Sequence, residues 1–344
     1  MDVNIITFHR EYNYGAMLQA YALQEFISRL GHDAGVYDYI RPEAPAGGLR
    51  QRTIDALCRL NRKDCRAREA KYTEFCETYL RLNRDDKRSA FVTGSDQVWN
   101  PEGELDAHYF LRFVPSSSRK LSYAASLGVP EIPEEKKALF RQYIADFDAV
   151  SVREEQAKAC VSELWEKEIS VNVDPTLLHG MDFWKTIENP VPDLPERYNL
   201  VYLMHLPRNI NTLLAWLKQQ TGYDTVVLDG QGAVQGVLAN LVKHDKAVHR
   251  AGPREFVWLV DHAQCVATSS FHGTAFSLIF EQEFYAITDS PTSRISNILQ
   301  KCGLSSVSES DDRFVRSSDV DWGRVAAALK NERARSAAYF NEVL

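Results

Sequence analysis

Short apolar runs alternate along this chain with longer stretches whose apolar positions repeat every three or four residues. Val3–Phe8 is a compact run rich in β-branched residues and predicts a buried strand. A polar loop, HREYNYG, follows. In GAMLQAYALQEFISRLG, Leu18, Ala22, Phe26 and Leu30 recur at i+4 and Gly31 is placed to end a helix. Ala34–Ile40 reads as the next strand, so the chain opens as a strand–loop–helix–strand unit. The rhythm continues with strands at Ala90–Thr93, Leu121–Ala124, Ala149–Val152 and Ile169–Val173. Helices are expected from Pro133 to about Asp146, with Glu134 and Glu135 in the first turn, and over Glu154–Leu164.

A second series starts near Tyr198. Strands are expected at Asn199–Met204, Thr225–Leu228, Cys265–Thr268 and Phe284–Ile287. Helices are expected at Ile210–Gln220, Glu255–His262, Thr274–Phe280 and Ser293–Cys302. Two blocks of alternating strands and helices imply two parallel-sheet α/β domains. The boundaries are residues 1–178 and 179–320, with MDFWKTIENPVPDLPERY as the connection. The tail, 321–344, reads as a helix that crosses back to complete the first domain.

Composition narrows the class. The chain has 344 residues and a net charge of −7, with 44% hydrophobic and 25% charged residues. That is ordinary for a globular protein of two domains and gives no reason to expect nucleic acid. The six cysteines, Cys58, Cys65, Cys76, Cys160, Cys265 and Cys302, form no C-x-x-C pair, so reduced thiols are expected rather than a zinc or redox motif. The start, MDVNIITFHR, is too short in apolar residues for a signal peptide, and no run of 18 apolar residues spans a membrane. A cytoplasmic protein is the expectation.

Parallel α/β sheets bind ligands beyond the carboxyl ends of their strands. The residues expected there are Tyr12-Asn13-Tyr14-Gly15, Gly94-Ser95-Asp96-Gln97, Arg153 and Ser269-Ser270-Phe271-His272-Gly273. His272 falls where a strand hands over to a helix, whose free N–H groups hold anions and favour a neutral imidazole. It reads equally as a helix cap. Arg153 reads as a grip for phosphate or carboxylate, or as the partner of Glu154 or Glu155. Asp96 reads as a base or as an N-cap, and Asn13 and Gly15 as ligand contacts or as turn residues.

These segments carry a resemblance. NYGAMLQAYALQ, GSDQVWNP, SYAASLG, VSVREE, VDPTLL and SSFHGTAFSLIF occur in this order, and together they resemble the polysaccharide pyruvyl transferase family. The resemblance runs from Asn13 to about Leu304. It implies two Rossmann-like lobes facing a cleft, as in the two-lobed (GT-B-like) glycosyltransferases. It implies transfer of pyruvate from phosphoenolpyruvate, as co-substrate and without a cofactor or metal, onto a sugar of a surface or cell-wall glycan or its lipid-linked precursor, as a ketal. The family's weighted arginine and histidine match Arg153 and His272. By the same analogy Asn13, Tyr14, Gly15, Ser95, Asp96 and Gln97 face the acceptor, while Arg153, Arg294, Ser269, Ser270, Gly273 and Thr274 face the donor.

One position departs from the pattern. Some members carry arginine two residues before the histidine, where this chain has Ser270. Arg294 is the candidate substitute, with a helix-surface arginine as its other reading. The stretch Arg50–Lys71 is basic, and Ile54, Leu57 and Leu60 would give it an apolar face. It reads as a solvated helix or as a peripheral contact with an anionic membrane. The two-lobed fold also hosts nucleotide-sugar glycosyltransferases and non-catalytic carbohydrate binders, which stand as alternatives. The acceptor's identity and the oligomeric state are open at this level.

Overall fold

The computed structural model describes residues 1–41, 62–204, 210–229, 244–287, 294–304 and 320–344. In the first lobe, β1 (Asp2–Ile6), β2 (Asp33–Tyr37), β3 (Leu82–Asn83), β4 (Ala90–Thr93) and β5 (Arg119–Ser122) form one sheet in the order β3-β2-β1-β4-β5. Each pairing is parallel. β6 (Val150–Val152) and β7 (Ile169–Val171) pair with each other, and single bridges Leu121–Ala149 and Ala125–Val152 continue the sheet to them. In the second lobe, β8 (Tyr198–Tyr202), β9 (Asp224–Leu228), β10 (Lys246–Val248), β11 (Cys265–Thr268) and β12 (Phe284–Ala286) repeat the order as β10-β9-β8-β11-β12. Strands such as Val3–Ile6, Ala90–Val92 and Leu200–Val201 are buried on both faces, which is why they read as unbroken apolar runs.

The strand order reverses between β1 and β4, and again between β8 and β11. The register aligns Ile6 with Thr93 and Tyr202 with Thr268 at these two switch points. Open α/β sheets bind ligands in the crevice beyond such points. Helix α1 (Tyr14–Arg29) leaves the loop after β1, capped by the Asn13 side chain, which accepts from the Ala16 amide at 3.2 Å. Residues 14–24 of this helix are all buried, because it is packed between its own sheet and the second lobe.

The sequence reading of a solvated helix or membrane contact over Arg50–Lys71 did not extend to the full helix α2 (Arg62–Tyr79), and it missed the short strands β3 and β10. Of the basic stretch, residues 50–61 lie outside the described residues, including Ile54, Leu57 and Leu60. The described part turns toward the protein. Arg68 is buried and reaches Asp229 at 3.4 Å, and Lys71 reaches Glu255 at 2.5 Å, both in the second lobe. Arg250 of the second lobe in turn bonds Asp64 at 2.5 Å. These charges tie the lobes together, so Arg68 and Lys71 are not offered to a membrane surface.

An aromatic stack fills the same interface. Tyr14 lies face to face with Phe256 of α7 (Pro253–Asp261) at 5.0 Å, and its hydroxyl donates to the Asp229 carbonyl at 2.9 Å. The remaining helices are α3 (Glu134–Ile144), α4 (Glu155–Ser162), α5 (Met181–Lys185), α6 (Ile210–Thr221), α8 (Phe271–Ile279), α9 (Arg294–Lys301) and α10 (Trp322–Val343). α10 lies on the first lobe. Tyr339 donates to the Ser122 carbonyl at 2.7 Å, Arg333 bonds the Leu177 and His179 carbonyls, and Phe340 stacks on Tyr123. Among the described residues no helix is long and apolar enough to cross a membrane.

Candidate functional site

The loop after β4 makes the sharpest turn of the first lobe. Gly94 has φ +108°, and a Cβ there would sit 2.4 Å from the Tyr123 carbonyl oxygen, so glycine alone fits. The Gly94–Ser95 peptide is cis and Asp96 adopts φ 62°. The Ser95 hydroxyl donates to Asp174 Oδ2 at 3.0 Å. Asp174 follows β7 and caps the 3₁₀ turn Pro175–Leu178. Its Oδ1 accepts from the Thr176 amide at 3.0 Å and the Thr176 hydroxyl at 2.8 Å.

Arg153 emerges at the end of β6, beside this carboxylate. Its Nη1 donates to Asp174 Oδ2 at 2.7 Å and its Nε to Glu154 Oε1 at 2.9 Å. Its guanidinium lies over the Phe271 ring, 4.8 Å from the centroid. Ser126 donates to the same Glu154 oxygen at 2.8 Å. The Glu154 salt bridge, set against ligand binding in the sequence reading, is therefore present. One nitrogen of Arg153 remains: Nη2 is buried and has no partner among the described residues. Burial works against the guanidinium's charge, but Glu154 and Asp174 outweigh it and raise the pKa above its ordinary value.

His272 comes from the other lobe. α8 begins at Phe271, three residues earlier than the periodicity predicts, so His272 stands in its first turn. It is not the cap: Ser270 is, its hydroxyl accepting from the Gly273 amide at 3.4 Å. The imidazole Nε2 is buried without a hydrogen-bond partner among the described residues and lies 3.8 Å from Asp174 Oδ2. The ring also rests on the first turn of α1. A Cβ on Gly15 would fall 1.8 Å from Nδ1, so Gly15 is the floor of the imidazole. The starts of two helices, one from each lobe, thus converge on His272. Burial alone would raise the Asp174 pKa. Contact with His272, the Arg153 charge and the Thr176 amide outweigh burial and hold the carboxyl well below the usual carboxylate range.

Arg294, the first residue of α9, enters the same pocket. Arg153, Asp174, Phe271, Arg294, Asn297 and Lys301 are among the residues that line it. With the Gln97 amide turned so that its oxygen faces the cleft, both Arg294 Nη atoms lie 2.8 Å from that oxygen. This is a direct bond between lobes. Burial, followed by the like charge of Arg153, lowers the Arg294 pKa from its ordinary value. The partly open pocket has an inner volume of about 10 Å³, room for one water molecule.

The other predicted residues are placed as follows. Asp96 is buried beside the cluster, its Oδ1 accepting from the Gln97 amide at 2.9 Å. Asn13 is the α1 cap, and Tyr14 is committed to the interlobe stack. Ser269 accepts from the Met204 amide at 2.8 Å. The Thr274 hydroxyl bonds back to the Ser270 carbonyl at 3.1 Å. Gly273 allows α8 to approach β11, since a Cβ would meet Thr268 Oγ1 at 2.3 Å. Asp174, Glu154 and Lys301 were not singled out. The signal for Asp174 was an aspartate closing a strand before a proline in VDPTLL.

No metal cluster was expected, yet the fold brings Glu188, Asp261 and His262 within reach of one ion. This trio lies at the far end of α7, away from the cleft. There Lys185 already pairs with Asp261 at 3.2 Å.

The fold has relatives of known structure. The UDP-GlcNAc 2-epimerase from Neisseria meningitidis, solved with UDP-GlcNAc, is 11% identical. Its alignment covers 98% of this chain and 94% of that one, with a TM-score of 0.50. The S. aureus MnaA–UDP structure is also 11% identical, covering 96% and 87% at a TM-score of 0.50. At this identity the likeness concerns the fold, two GT-B-like lobes of parallel sheet and helices. No curated protein matches the sequence. The sequence profile described as Polysaccharide pyruvyl transferase matches residues 13–291, a span that holds both switch-point loops, Arg153, Asp174 and His272. The chain belongs to the polysaccharide pyruvyl transferase family.

Proposed function

We propose that this protein transfers the pyruvyl group of phosphoenolpyruvate to two hydroxyls of a sugar in a surface or cell-wall glycan, or in its lipid-linked precursor, releasing phosphate. The observation that carries the reading is the meeting of Arg153 and His272 from opposite lobes, each with a buried nitrogen that has no partner. An anionic donor supplies oxygens for both. Its phosphate and carboxylate suit the cations Arg153 and Arg294 and the converging helix starts.

The atoms balance without a redox centre. A proton delivered to the methylene carbon leaves positive character on the adjacent carbon. One sugar hydroxyl adds there and loses its proton. The carbon–oxygen bond to phosphate breaks with its electron pair going to phosphate. The second hydroxyl adds to the same carbon and loses its proton, closing the ketal. One released proton replaces the one spent on carbon, and the other leaves with phosphate. His272 is the group assigned to proton transfer at the donor, and Asp96 to the acceptor hydroxyl. Each such transfer accounts for roughly 10²–10⁴ in rate. The inner pocket is smaller than the donor, so it would have to widen around Arg294 to admit it. Phosphoenolpyruvate is a cytoplasmic metabolite, which gives the reaction its compartment.

The test is incubation with phosphoenolpyruvate and a panel of hexosides. Phosphate should appear only with a suitable sugar, and product mass should rise by pyruvate less water. Transfer of a glycosyl group from a nucleotide sugar, with phosphoenolpyruvate untouched, would overturn the proposal.

A further inference from the structure

The pocket holds a carboxylate that this chemistry leaves without a task. Asp174 is wholly buried where the lobes meet. A carboxylate leaves water at high cost unless its lone pairs are met. Here they are met by four donors: the Thr176 amide and hydroxyl on Oδ1, and Ser95 Oγ and Arg153 Nη1 on Oδ2. The fifth neighbour is His272 of the other lobe, whose Nε2 at 3.8 Å is too far for a hydrogen bond.

The consequence for Arg153 is specific. Asp174 fixes Nη1, Glu154 fixes Nε, and Phe271 supports the guanidinium plane. The remaining nitrogen, Nη2, is held in one direction with nothing bonded to it. The same two carboxylates offset the charge that a donor anion would seek. This arrangement fixes direction at the expense of attraction. For His272, Asp174 is the first-lobe charge it meets when the lobes are closed.

We propose that Asp174 is a positioning residue of the pyruvyl-transfer site: it weakens the hold of Arg153 on anions while fixing its direction, and it seats His272 when the lobes come together. The proposal rests on the pocket being the donor site. It makes a prediction that a merely structural role does not, namely that donor affinity and turnover move in opposite directions when the charge is removed.

Asp174→Asn keeps the side-chain shape and removes the charge. Inorganic phosphate and phosphoenolpyruvate, titrated calorimetrically, should each bind about tenfold tighter, as expected for losing one negative charge within several ångströms of the anion. Turnover should fall roughly 100-fold, the usual consequence of a misaligned group. Ser95→Ala keeps the charge and removes one bond to it. Phosphate affinity should hold in that variant while turnover drops about three- to tenfold. If Asp174→Asn does not fold, Ser95→Ala and Thr176→Val carry the test: lower turnover at unchanged affinity supports the proposal. Weaker anion binding in step with lower turnover, or unchanged turnover in Asp174→Asn, overturns it. A parent protein that binds both anions but never consumes phosphoenolpyruvate would instead remove the pyruvyl-transfer reading. The affinity change in Asp174→Asn remains readable in that case.

Discussion

Gly15→Ala is the smallest change that separates the chemistry from the fold. The added methyl would lie 1.8 Å from His272 Nδ1 and 2.2 Å from Cε1 and Cγ. Non-bonded carbons rest at about 3.5–4.0 Å, so the ring or the helix must retreat by roughly 1.5 Å. Helix α1 has little room, because Tyr14 is clamped between Tyr72 and Phe256 and its hydroxyl is tied to the second lobe. The imidazole is the part that yields. A displacement of about 1 Å at a reacting group costs about 100-fold in rate. Stability should change less. Overpacking costs ~1–3 kcal/mol, and replacing glycine by alanine in a helix returns up to about 1 kcal/mol. Turnover of phosphoenolpyruvate and thermal unfolding should be measured side by side, with Gly103→Ala, whose Cβ meets nothing within 4 Å, as the control. Normal turnover in a folded Gly15→Ala protein would refute both the ring's placement and its part in the reaction.

His272→Ala should leave the fold intact, since Ser270 provides the cap, and remove most turnover; a folded variant with near-normal rates would exclude the residue from the mechanism. Arg294→Ala should weaken phosphoenolpyruvate binding roughly 10–100-fold, the equivalent of one charged hydrogen bond, and unchanged affinity would leave Arg294 only its bond to Gln97. Arg68→Ala leaves the buried Asp229 carboxylate with His249, 3.4 Å away, and should destabilise the protein by up to about 3 kcal/mol in urea unfolding, a loss that Asp229→Asn should partly restore; a silent Arg68→Ala contradicts the interlobe pairing. His179 is a pH probe: burial and then the Arg29 and Arg333 charges, opposed by its bond to the Ala22 carbonyl, lower its pKa to about 4. Because the folded pKa lies below the unfolded value of ~6.5, the unfolded chain takes the proton first, and stability should fall by about 3 kcal/mol as pH drops through that window. His179→Gln should flatten the slope, and an identical slope in both proteins sinks the assignment.

The sequence made the central strands plain because both faces of each sheet are covered there, so they read as apolar runs, whereas β3 and β10 are short and only partly buried. The packing and the extent of helix α2 were hidden by its charge, which read as a solvated face. Its buried side chains, Arg68, Tyr72, Phe75 and Cys76, mix a cation with apolar groups, because the helix packs on the second lobe partly through ion pairs. Arg153, Asp96 and His272 stood out because they follow strands at the functional end of a sheet. Asp174 follows a strand as well, but an aspartate before a proline also reads as a cap. It is indeed a cap, for Thr176. Its second role depends on Ser95, Arg153 and His272, which are distant in sequence and meet only in the folded protein. Tyr14 shows the opposite error. It sits beside residues of the site, but its ring and hydroxyl belong to the lobe interface.

Ser270 and Arg294 bear on how such a site closes. An arginine at the start of α8 would hold its charge in the pocket whatever the lobes do. Ser270 caps α8 instead, and the cation comes from α9, where it meets Gln97 across the cleft. Under the proposed function, Arg294 would exchange the amide of the first lobe for the donor anion. His272 and Asp174 are likewise held on different lobes and meet where the same lobes close. If the site takes the donor as proposed, the lobes that enclose the anion are the same ones that hold the Arg153–Asp174–His272 cluster together. A cation fixed on α8 would bind the donor without that coupling. Separating the charge from the histidine's own helix makes closure part of recognition.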